Sequence, residues 1–162
     1  MRPELIFGRA AFAVALLFAF VVAIMGASAV DAKLRKDRLT LETASGKHSI
    51  EIEVAETNED KSLGLMYRPT VPPSTGMLFP YGQPQELTMW MRNTYASLDM
   101  VFIRADGIVH RIEFGTEPLS ERIISSGGPV SAVLELASGE ARRLGLKPGD
   151  TVLHSAFKIK TR

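Results

Sequence analysis

The sequence has no cysteine, which excludes disulfides, thiolate metal sites and a cysteine nucleophile. Histidine is limited to His48, His110 and His154. None stands at ligand spacing from another, so a metal site would need ligands converging from separate segments, such as His110, Asp99 and His154. No metal and no cofactor are assigned. The chain also lacks a basic block: 19 Lys and Arg face 18 Asp and Glu, for a formal net charge of +1. Nucleic-acid affinity rests on clustered cations, so no nucleic-acid partner is expected. There is no Gly-x-Ser-x-Gly elbow and no Gly-rich phosphate loop opening a helix. Tryptophan occurs once, as Trp90.

What is present begins with Arg2 and Arg9 ahead of an apolar run from Ala10 to Met25, closed by Gly26-Ala27-Ser28-Ala29. A positive start, an apolar middle and a small-x-small end make a secretory signal, cut after Ala29 or after Ala32. The run falls short of the ~20 residues of a spanning helix; a retained anchor is the alternative. Residues 1–32 are therefore set aside as a signal peptide, 33–38 as a polar lead-in, and 39–162 as one domain. The domain is expected in the periplasm or secreted, or else anchored to the inner membrane and facing the periplasm. Membrane contact is expected only through an uncut N-terminal segment.

In the mature chain, Leu39, Leu41 and Thr43 alternate with polar residues, as do His48, Ile50, Ile52 and Val54. Period two marks half-buried strands, and Ala44-Ser45-Gly46 supplies the turn. Thr57 caps a helix with Asp60 as its capping-box partner; Leu63 and Met66 share a face and Pro69 stops it. Met77-Leu78-Phe79 reads as a short strand, 81–85 as a loop, and Leu87 to Arg92 as a strand with Leu87, Met89 and Met91 on its core face. Asp106-Gly107 reads as a two-residue hairpin turn, which would set Ile103 opposite His110 and Val101 opposite Ile112. Residues 117–129 read as a long loop and Val130 to Leu136 as a strand. Ser138 caps a short helix ended by Gly145, and Thr151 to Ile159 is the last strand. Strands and helices do not alternate, which disfavours a doubly wound parallel sheet. The expected fold is α+β: a mostly antiparallel, barrel-like sheet with two short helices.

Several stretches together resemble DUF family 192: Gly64-Leu65-Met66-Tyr67-Arg68, Gly76-Met77-Leu78-Phe79, Trp90-Met91-Arg92-Asn93-Thr94, Leu98-Asp99-Met100-Val101-Phe102 with Asp106-Gly107, and Val133-Leu134-Glu135-Leu136 followed by Gly145 and Pro148-Gly149-Asp150. The resemblance spans roughly residues 39 to 160. It implies a small β-rich α+β domain, often exported in bacteria, and leaves the activity open. At position 92 the family often carries Lys; Arg keeps the charge and adds a planar fork.

The candidate chemistry is sparse. Ser125-Ser126-Gly127-Gly128 has the composition of an exposed loop, and His154 and Ser155 point to opposite faces of a strand. Asp99 is the one weak catalytic candidate; a glycosidase pair would need a second carboxylate, with Glu86 and Glu113 available only by elimination. Met66, Met77, Met89, Met91 and Met100 invite a thioether copper site, but methionine also fills cores, and the core reading is adopted. Arg68, Trp90, Arg92, Asn93 and Asp99 remain as a patch for a polar ligand such as a sugar or carboxylate, the ring stacking and the polar groups orienting. The competing reading is an Arg–Asp pair that pins the loop after Asn93, with Trp90 plugging one end of the barrel. The expected function is a non-enzymatic envelope binding or accessory module, a monomer whose ligand or protein partner is not specified. The alternatives are a small glycan- or peptide-acting hydrolase using Asp99, or a purely structural interaction domain.

Overall fold

A computed structural model describes residues 34–158; the apolar run read as an export signal lies outside the described residues. Among them are seven strands in one sheet, ordered β5-β4-β6-β3-β2-β1-β7. All neighbouring pairs are antiparallel except β2 with β3. With two very short helices, this is the mostly β, half-barrel form of the expected architecture.

The alternating N-terminal segments form the expected hairpin. Strand β1 (Arg35–Thr43) and β2 (Gly46–Val54) pair with Leu39 opposite Ile50 and Leu41 opposite His48. The residues read as a polar lead-in belong to this hairpin: Arg35 to Arg38 pair with Val54 to Glu51. Their charged side chains alternate along the edge of the strand and hid it from a hydrophobicity pattern. Helix α1 (Asn58–Leu63) has the expected capping box, with Thr57 Oγ1 accepting from the Asp60 N–H at 3.0 Å and Asp60 Oδ2 from the Thr57 N–H at 3.0 Å. It ends at Gly64 and not at Pro69. Gly64 takes φ 49°, and a Cβ there would stand 3.3 Å from the Phe79 ring, so only glycine allows both the turn and the close approach. Ending early leaves Leu63 exposed and turns Leu65 into the core.

Two long strands replace shorter predicted ones. Strand β3 (Thr75–Met89) runs through the segment read as a loop, with irregular register between Pro80 and Gln85. Strand β6 (Ile124–Ala137) takes in half of the loop read over 117–129 and pairs with β3 out to Met89 opposite Ile124. Glycines and prolines suggested breaks there, and irregularities in the ladder absorb them. Strands β4 (Leu98–Ile103) and β5 (Val109–Glu113) form the expected hairpin with a different turn. The Gly107 N–H donates to the Arg104 carbonyl and the Arg104 N–H to that of Ile108, with Gly107 at φ 79°. This is a three-residue loop closed by a left-handed glycine. It sets Ile103 opposite Val109, and His110 is the extra residue that restores Val101 opposite Ile112. His110 therefore leaves the place opposite Ile103 that the two-residue turn would have given it.

Helix α2 (Glu140–Arg143) follows β6, and Gly139, left-handed, occupies its N-cap without a side-chain bond; Ser138 does not cap it. Strand β7 (Thr151–Leu153) pairs with β1, ending well before Ile159, and Ile108 bridges to Thr151. The two sheet edges thus approach each other and the sheet curls. Its inner face packs Leu39, Leu41, Ile50, Ile52, Val101, Ile103, Leu134 and Leu136. Its outer face packs Met77, Phe79, Met100, Phe102 and Val133 beneath Leu65, Leu87, Met91 and Leu98.

Candidate functional site

The five predicted site residues separate into three places. Trp90, Arg92 and Asn93 line one cleft of about 680 Å³, together with Lys61, Met66 and Tyr81. Arg68 lines another, of about 540 Å³, over β1 and β2. Asp99 is fully buried and lines neither.

Asp99 lies on the inner side of β4 with its carboxylate matched by main-chain donors. Oδ1 accepts from the Gly115 N–H at 2.9 Å and Oδ2 from the Ala141 N–H at 3.0 Å. The second bond satisfies a first-turn donor of α2 that no local side chain caps. Asp99 therefore ties α2 and the end of β5 to β4. The Arg–Asp pair of the competing reading is not formed by Asp99, and Asp99 shares no mouth with Trp90. The other catalytic candidates are also engaged. Glu113 is held by Arg111 and Arg122, which lower its pKa, chiefly through the Arg122 hydrogen bond. Glu86 accepts from Ser125 Oγ at 2.6 Å. Ser126 is buried, accepting from the Leu87 N–H at 3.0 Å and donating to the Gly128 carbonyl at 2.7 Å.

The histidines are apart. His48 Nε2 meets Ser45 Oγ at 2.9 Å, and His110 lies against Gly128. His154 Nδ1 accepts from the Ala156 N–H at 3.1 Å, which assigns the proton to Nε2, 3.2 Å from Asp37 Oδ2. Of the five methionines read as core, Met77, Met91 and Met100 are sealed in the outer core, with Met91 Sδ accepting from Thr116 Oγ1 at 3.2 Å, whereas Met66 and Met89 are half-buried and line the cleft of Trp90.

The two clefts differ in charge. Around Arg68 the charges are mostly paired: Arg68 with Glu53 at 2.5 Å, Arg38 with Glu51 at 3.4 Å, and Asp37 with Arg35 and His154. Around Trp90 no carboxylate lines the cleft. Arg92 stacks on Trp90, its guanidinium carbon 4.2 Å from the ring centroid, and Lys61 Nζ lies 4.9 Å from that of Tyr81. Neither cation has an ion-pair partner among the described residues. Trp90 is 44% exposed. Asn93, left-handed at φ 58°, accepts from the Tyr67 N–H at 2.9 Å and so holds the loop of Trp90 against the end of α1. Lys61 and Tyr81 were missed because they lie in separate segments; only the fold sets them beside Trp90.

A second missed group is Glu135, 4% exposed between Met77 and Met100 on the outer side of the sheet. Its carboxyl has no hydrogen-bond partner among the described residues, and burial pushes its pKa up to about 8. The sequence does carry the signal, an acid inside the apolar run from Val130 to Leu136.

A family profile, DUF192, described as Uncharacterized ACR, matches residues 40–154. A solved protein of Sinorhizobium meliloti 1021, described provisionally as a transcription regulator, is 42% identical with a TM-score of 0.76. The match covers 78% of this chain and 99% of that one. A protein of unknown function from Novosphingobium aromaticivorans DSM 12444 is 37% identical with a TM-score of 0.74, covering 77% and 89%. No curated protein matches the chain.

Proposed function

This chain belongs to the DUF192 family, and from that premise we propose that it is an exported, non-catalytic binding module that takes a small anionic ligand in the cleft of Lys61, Trp90 and Arg92. The observation that carries this reading is the pair of cations, each over an aromatic ring, in a cleft whose lining holds no acid. A carboxylate or phosphate entering it gains charge-assisted hydrogen bonds, and the Trp90 face covers an apolar or sugar-like remainder. The export half of the proposal rests on Arg2, Arg9 and the apolar run they precede.

The hydrolase alternative used Asp99, whose two oxygens are occupied by main-chain donors away from both clefts. A role like that described for the Sinorhizobium protein would need an element that enters a nucleic-acid groove. The helices among the described residues are 6 and 4 residues long, and the balanced charge offers little phosphate attraction.

Trp90, the sole tryptophan, tests the proposal directly. Titration of the protein with acetate, inorganic phosphate and sugar phosphates at low ionic strength should shift Trp90 emission saturably. Arg92→Gln and Lys61→Gln should each weaken that binding about tenfold, one lost charge-assisted contact. Unchanged emission across all three ligand types rejects an anion site.

A further inference from the structure

Six large apolar side chains are exposed among the described residues: Leu63, Tyr67, Trp90, Tyr95, Leu119 and Ile123, at 44% to 57%. All lie in or beside three loops that main-chain hydrogen bonds tie together. The Tyr67 N–H donates to the Asn93 carbonyl at 2.9 Å, the Leu119 N–H to that of Thr94 at 3.1 Å, and the Met91 N–H to that of Ser120 at 3.0 Å. The Tyr67 and Tyr95 rings meet edge to face with centroids 6.2 Å apart. Met89 pairs with Ile124, so Trp90 and Ile123 leave neighbouring strand ends. Tyr67 and Leu119 hold left-handed backbones at φ 63° and 61°, an unfavourable conformation for bulky residues that the surrounding structure must impose. The apolar tips thus lie on three tied loops at one end of the sheet, and one of these loops carries Trp90 and Arg92 of the cleft.

We propose that this end docks on an anionic lipid surface, with a lipid phosphate entering the cleft; for the roles of Lys61 and Arg92 the proposal rests on the anion-binding reading. Three observations select a bilayer as the occupant. The exposed side chains sit on separate loops and include one Trp and two Tyr, whose amphipathic rings suit the headgroup level. Leu63, Leu119 and Ile123 stand among them as aliphatic groups that enter the acyl boundary. The cations without carboxylate partners lie in the same cleft as Trp90, complementary to anionic headgroups. Glu117 and Glu121 share the third loop with Leu119 and Ile123, so electrostatic attraction is modest and insertion of the apolar tips supplies most of the affinity.

The test reads Trp90 in the full chain, because the N-terminal apolar run would by itself hold the protein on vesicles. Vesicles of phosphatidylcholine with phosphatidylglycerol, brominated near the headgroup end of the acyl chain, should quench Trp90 and shift its emission to the blue. The variant Leu63→Ser/Leu119→Ser/Ile123→Ser, whose altered side chains are all exposed, should keep its thermal melt and lose at least tenfold in lipid concentration for half-quenching. Arg92→Gln should remove the preference for phosphatidylglycerol over phosphatidylcholine. Wild-type Trp90 unquenched by vesicles but still shifted by glycerol phosphate overturns docking and leaves the anion site standing. No response to either overturns both readings. Trp90 shielding that instead follows protein concentration without lipid, and is lost in the triple variant, overturns docking in favour of a second copy of the chain.

Discussion

The two sides of the sheet treat a buried carboxylate in opposite ways. On the inner side, Asp99 is fully buried and both its oxygens accept main-chain hydrogen bonds. On the outer side, Glu135 of the adjoining strand is almost as deeply buried, between two methionines, and accepts none among the described residues. The inner acid is a strut: its charge is used to close a helix end and a strand end. The outer acid has no such use among the described residues, and its burial favours the neutral form. The inner face packs an apolar core closed by Ala141, Leu144, Leu146 and Phe157, whereas the outer face packs under Leu65, Met91 and their loops.

The contrast breaks most visibly at Asp99. Asp99→Asn sets an amide donor against one of the two N–H groups and removes the charge from both bonds. Two hydrogen bonds to a charged group imply a loss of about 3–5 kcal/mol, read by urea denaturation. If Asn is tolerated within about 1 kcal/mol, Asp99 is no strut.

Glu135 should give a smaller and pH-dependent effect of opposite sign. Its pKa rises from 4.5 in the unfolded chain to about 8 in the folded one. As pH climbs through that interval, the unfolded chain releases the proton first. Stability is therefore fully present below 4.5 and lost as pH rises toward 8. Glu135→Gln removes this dependence, so its stability relative to wild type should improve by roughly 2–4 kcal/mol over the interval. Denaturation midpoints from pH 4 to pH 9 check this; parallel curves for the two proteins would mean that Glu135 has a partner.

The smallest effect on stability belongs to the cleft. Lys61→Gln and Arg92→Gln alter cations that have no ion-pair partner among the described residues, so each should stay within about 0.5 kcal/mol of wild type while changing the Trp90 response. A large loss of stability at Arg92 would return it to the role of a loop pin.

How much was legible follows from which residues acted locally. The β1–β2 hairpin, the Thr57–Asp60 capping box and the core face of Val101 and Ile112 could be read because alternation and capping are set by neighbours in the chain. The long extents of β3 and β6 could not, since Pro80, Gly82, Pro84 and Gly127 signal breaks that a paired ladder tolerates as irregularities. In the site, Trp90, Arg92 and Asn93 were legible as one run and do share a cleft. Arg68 lines a different cleft because α1 ends at Gly64, and Asp99 faces inward because strand alternation between the buried Leu98 and Met100 assigns it to the inner core.

The sequence alone determined that thiol chemistry is excluded, that no basic block exists, that the sheet is mostly antiparallel, and that Trp90 and Arg92 are close; each follows from composition or from spacing along one segment. The tertiary structure decided the rest: that Asp99 is sealed, that Glu135 lacks a partner among the described residues, and that Lys61 and Tyr81 join Trp90 in a cleft lined by no acid. Burial and charge pairing depend on which distant segments meet, and that is settled only when the sheet curls and its loops close over the outer face.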